Sequence, residues 1–94
     1  MVSGGNKPYF ETRLENDTIY RRFEGTVEDS DLVWHRDHSD RQIKVVEGQG
    51  WQLQFDNELP VELVEEQTYF IARETYHRLI KGQGKLILEI IEEE

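Results

Sequence analysis

The chain contains no cysteine, which excludes disulfides, zinc–thiolate sites and thiol nucleophiles together. Basic residues are scarce as well: 11 lysines and arginines stand against 20 carboxylates, a formal charge of −9. That balance repels phosphate backbones and anionic lipid, so neither nucleic acid nor a membrane surface is expected as a partner. No apolar run approaches the roughly 20 residues of a membrane helix. The opening Met1-Val2-Ser3-Gly4-Gly5 lacks the basic and apolar regions of a secretory leader. At 94 residues there is room for one core. The expectation is a small, acidic, soluble and cytoplasmic domain.

What is present is short and alternating. Residues 1–17 are polar and glycine-containing, and read as an N-terminal arm with an edge strand near Pro8-Tyr9-Phe10. From Thr18 to the end, residues 18–94, the apolar period is close to two, the mark of strands. Thr18 to Phe23 is β-branched and aromatic, and Asp31 to His35 is a second short run. Ile43 and Val45 lead into Gly48-Gln49-Gly50. Trp51, Leu53 and Phe55 then alternate with Gln52, Gln54 and Asp56, a half-buried strand. Val61 and Leu63, Thr68 to Ala72, Tyr76 to Ile80 and Lys85 to Ile91 complete the set. Pro60 and its neighbouring valines oppose a helix over residues 58–67. Eight or nine short strands with regular turns predict an all-β sandwich or barrel. The similar phrases around Gly48-Gln49-Gly50 and Gly82-Gln83-Gly84 read as two hairpin turns that use glycine to reach positive φ. Trp51 and Phe55 are assigned to the core, and the Glu92-Glu93-Glu94 run to solvent.

Three histidines carry what chemistry the sequence offers. His35 and Asp37 fall on one face of an extended chain, and His38 falls on the other. With His77 they make the inventory of a two-histidine, one-carboxylate metal site, suited to iron, zinc, nickel or manganese. His38 would replace Asp37 only if a bulge re-aimed it.

The segment Asp29 to Gly48 resembles the first motif of the cupins: Gly, five residues, His-x-His, three or four residues, Glu, six residues, Gly. Asp29, His35, Asp37, Arg41 and Gly48 occupy those positions in order. The second motif reads Gly, five residues, Pro-x-Gly, two residues, His, three residues, Asn. Glu66, Ala72, Glu74, His77 and Lys81 fall on it. The two motifs span residues 29 to 81, and only His35, Gly48 and His77 keep the family's residue. The resemblance implies a single-domain jelly-roll barrel, the double-stranded β-helix, with a divalent transition metal or small ligand held inside by His35, Asp37 and His77. Arg41 replaces the family's glutamate with a permanent cation. It would pair with Asp37 or clamp an anionic group of a substrate, and Tyr76, beside His77, would sit at the pocket mouth. Two functions follow. One is a metal-dependent enzyme acting on a small anionic molecule; the other is a metal-free ligand-binding or protein-interaction module. No general base apart from the metal ligands stands out, and a homodimer is expected in either case.

Overall fold

A computed structural model describes residues 7–93 of the chain. Eight strands form: β1 (Phe10–Arg13), β2 (Thr18–Phe23), β3 (Asp40–Gln49), β4 (Gln52–Phe55), β5 (Val61–Glu62), β6 (Thr68–Ile71), β7 (His77–Ile80) and β8 (Gln83–Glu93). Strand alternation puts one side of each strand inward. Ile19 and Phe23 on β2, Ile43 and Val45 on β3, and Leu86, Leu88 and Ile90 on β8 are all buried. These strands belong to a five-stranded sheet of order β1-β2-β8-β3-β6, which faces a three-stranded sheet of order β5-β4-β7. Leu53 of β4, with Trp51 and Leu63 flanking its sheet, closes the core from the other side.

From β3 onward the chain crosses between the sheets: β3 to β4, β5 to β6, β6 to β7 and β7 to β8. That winding is a double-stranded β-helix, or jelly roll. Among the described residues the sheets face one another without closing into a continuous hydrogen-bonded cylinder. The only helical element described is a 3-10 turn at Asp29–Asp31, and no helix is long and apolar enough to cross a membrane.

Two sequence expectations change at this level. The two glycine phrases are corners between sheets, not hairpin turns. Gly50 and Gly84 do adopt positive φ, at 76° and 67°. Gly82 instead lies against backbone, where a Cβ would collide with Trp51 N, Gln49 O and Gly50 C. The β3–β4 corner therefore stacks directly on the β7–β8 corner. Of the expected arm, residues 1–6 lie outside the described residues, while β1 pairs with β2 from Phe10↔Arg22 to Arg13↔Ile19. Tyr9 packs on Phe23 with ring centroids 5.3 Å apart, so this part of the arm is integral to the fold. The Asp31–His35 run is not a strand. Glu28 and Asp31 cap one another's backbone around the 3-10 turn, and only His35 makes a bridge, to His77.

Candidate metal centre

That bridge builds the site. His35 N–H donates to the His77 carbonyl at 3.0 Å, and His77 N–H donates back to His35 at 2.9 Å. Such a directly opposed pair sends both side chains to one face, and the imidazole centroids lie 4.4 Å apart. Asp37, two residues beyond His35, arrives on the same face. Its backbone is fixed by Glu74 N–H, which donates to the Asp37 carbonyl at 2.7 Å. His77 Nε2 lies 3.3 Å from Asp37 Oδ2, and His35 Nε2 lies 3.8 Å from Oδ1. One ligand atom from each residue falls within 4.8 Å of the others.

Two backbone carbonyls set the chemistry of these rings. His77 Nδ1 is 2.7 Å from Thr75 O, and His35 Nδ1 is 2.9 Å from Val33 O. A carbonyl can only accept, so each Nδ1 carries a proton and each ring turns its Nε2 toward Asp37. Two imidazole nitrogens and a carboxylate thus converge. Asp37 Oδ2 is buried and has no hydrogen-bond partner. Such a group could hold a divalent transition metal, which imidazole nitrogen and carboxylate oxygen suit. The residues fit the metal that the resemblance implied. Burial pushes the Asp37 carboxyl up, but the approach of His77, the Arg41 guanidinium and His35 outweigh it and hold it below the ordinary carboxylate range.

The neighbours of this group differ in their access. His77 is buried and Asp37 partly so, its side chain 9% exposed, while the side chain of His35 is 45% exposed and forms the rim. His38 points to solvent, 95% exposed, with Nδ1 3.0 Å from Glu74 Oε2, so the opposite parity read from the sequence keeps it out of the group. Arg41 reaches the site, with Nη1 3.5 Å from Asp37 Oδ1, but its Nη2 donates to Glu92 Oε2 at 2.7 Å. Its fork is occupied. Asp40 does not join Arg41; its Oδ1 accepts from Arg73 N–H at 2.8 Å. Tyr76 is not brought to the cavity. It lies on the opposite side of its strand from His77, 46% exposed, with its ring 6.4 Å from that of Trp34. Residues that the sequence reading missed are Glu92, taken for a solvated charge, and the Val33 and Thr75 carbonyls. Strand parity was the available signal for Glu92, which shares a face with Leu86, Leu88 and Ile90 and pairs directly with Arg41 in the β3–β8 register.

No protein-family model and no curated protein matches the sequence. Solved structures do match. An RmlC-like cupin family protein with a double-stranded β-helix fold from Methanocaldococcus jannaschii aligns over 98% of this chain and 85% of its own, with TM-score 0.69 at 10% identity. A cupin domain from Bordetella pertussis aligns over 97% of this chain and all of its own, with TM-score 0.66 at 17% identity. HppE, in its Fe(II) form in complex with substrate, aligns over 90% of this chain but only 52% of its own length, with TM-score 0.65 at 15% identity. Likeness at these identities speaks to architecture, and with the winding described above it is decisive there: the chain has the fold of the small cupins.

Proposed function

We propose that this protein is a small metal-dependent enzyme in which His35, Asp37 and His77 hold a divalent transition metal at one end of an interior cavity. The observation that carries this reading is the convergence of two carbonyl-fixed histidine rings and a buried, unpartnered carboxylate oxygen on one point. A bound metal would supply Lewis-acid or redox chemistry at the positions that three protein ligands leave open. Around it each residue has its own task. His77 and Asp37 form the buried wall, and His35 stands at the rim where a small molecule enters. Arg41, anchored by Glu92, holds Asp37 through Oδ1 and leaves Oδ2 facing His77. Hydrocarbon side chains from both sheets keep bulk water from the reacting end.

Iron leads the ions to test, ahead of zinc, nickel and manganese, because the Fe(II) enzyme HppE shares the fold. The test is elemental analysis of untagged protein, followed by titration with each ion. About one equivalent per chain, lost in His35→Ala and His77→Ala, supports the proposal. Absence of binding by all four ions ends it. A second reading, a metal-free binding module, is favoured by one observation: Arg41 already places a cation 3.5 Å from Asp37. In that case His77→Ala changes stability or ligand affinity only. Self-association into a homodimer belongs to the proposal as well, since among the described residues β1 leaves one edge of the larger sheet open beside exposed Phe10. A monomer in sedimentation equilibrium removes it.

A further inference from the structure

The cavity beside the His35–Asp37–His77 group has a volume of about 260 Å³. Phe23, Ile43, Leu53, Ile71, Leu79 and Leu88, inward-facing residues of both sheets, are among the residues of its wall.

Two arginines reach this cavity, and both are already occupied. Arg21 donates Nε and Nη2 to Glu11 Oε1 at 3.0 and 2.6 Å, and its guanidinium lies over the Tyr9 ring, 3.9 Å from the centroid. Arg41 is held by Glu92 and Asp37. Their partners are the carboxylates of Glu11, Glu92 and Asp37, with Arg13 also 3.4 Å from Glu92, and Asp31 adds a further carboxylate to the cavity wall. An incoming carboxylate or phosphate would lose its water in an apolar chamber and find no free guanidinium to replace it. Arg41 Nε, buried and without a hydrogen-bond partner, is covered rather than presented to the cavity.

We propose that the cavity binds an uncharged, mostly hydrocarbon small molecule. The internal pairing of Arg21 and Arg41 makes the site select against anions. This proposal shares with the proposed function the premise that the cavity is the ligand chamber, but it does not require the metal.

Calorimetric titration of the whole chain with benzamide and with benzoate tests it, since the two probes match in size and differ in charge. In protein stripped of metal by EDTA dialysis, benzamide should bind at least tenfold more tightly than benzoate. Leu79→Phe, which fills the chamber at a half-buried position, should abolish benzamide binding while cooperative unfolding persists. Equal or tighter binding of benzoate overturns the proposal. So does failure of benzamide to bind the wild-type protein at millimolar concentration, and these wild-type outcomes stand whether or not the Leu79 variant folds. Parallel titrations with Fe(II), Zn(II), Ni(II) and Mn(II) separate the two ideas. Failure of all four to bind defeats the metal proposal and leaves the benzamide preference standing, whereas metal binding without that preference does the reverse.

Discussion

Replacing Gly82 by alanine tests the corner-on-corner packing that joins the two sheets. A Cβ there would collide with three backbone atoms, Trp51 N, Gln49 O and Gly50 C. Backbone cannot swing aside as a side-chain tip can, so relief requires separating the β3–β4 corner from the β7–β8 corner. Two other glycines calibrate the effect. At Gly84 a Cβ meets nothing within 4 Å, and only its φ of +67° opposes alanine, a cost of about 1–2 kcal/mol. At Gly48 a Cβ would lie 2.6 Å from Leu86 Cδ1, the end of a movable but fully buried side chain, for about 1–3 kcal/mol of overpacking. Gly82→Ala should exceed both, at ~4 kcal/mol or more. In a domain of this size each kcal/mol moves the melting temperature by about 4–8 °C, so Gly82→Ala should melt ~15–30 °C lower or fail to accumulate folded. Urea unfolding of the three variants, followed by tryptophan fluorescence, gives the ranking. A Gly82→Ala protein within ~1 kcal/mol of wild type, or more stable than Gly84→Ala, would refute the stacked-corner account.

Two further outcomes concern the site. The Asp37 carboxyl is depressed in the folded state, so its contribution to stability is complete above the ordinary value of 3.8 and is lost as pH falls through the lower folded value. Asp37→Asn should remove that acid-side loss, and urea midpoints of metal-free wild type and variant below pH 4 should differ in slope; parallel slopes would contradict the assignment. Glu92→Gln removes the anion from the 2.7 Å contact with Arg41, which should cost about 1–2 kcal/mol in urea unfolding. The same variant frees the guanidinium, so benzoate affinity should rise relative to wild type in calorimetry.

Much of this architecture follows from one rule of alternation, and so do several errors. Period two placed β2 on its residues, put Trp51 and Leu53 inside, and set His35 and Asp37 on one face apart from His38. Applied consistently, it would also have removed Tyr76 from the pocket, because a strand neighbour of His77 points the other way. It would likewise have turned Glu92 inward. The Asp31–His35 run misled for a different reason. Its apolar residues resemble a strand, but reciprocal capping by Glu28 and Asp31 offers the backbone a local alternative. Contacts between distant strands were not legible at all. The Arg41–Glu92 pair joins residues 51 apart, and its existence depends on which strands are neighbours in the sheet. The tautomers of His35 and His77 depend on the carbonyls of Val33 and Thr75, whose direction no side-chain pattern records.

β8 is the eighth strand in chain order and yet lies third in the five-stranded sheet, between β2 and β3. Neither β2 nor β3 has that neighbour until residues 83–93 have been made. On the ribosome, the inward faces carrying Ile19, Phe23, Ile43 and Val45 must therefore wait, uncovered, for Leu86, Leu88 and Ile90 to arrive. Folding is consequently a late event governed by non-local pairing, slow for a chain of this length and exposed to misassociation while it waits. The abundant negative charge then acquires a kinetic role, since mutual repulsion between nascent chains keeps those waiting strands apart.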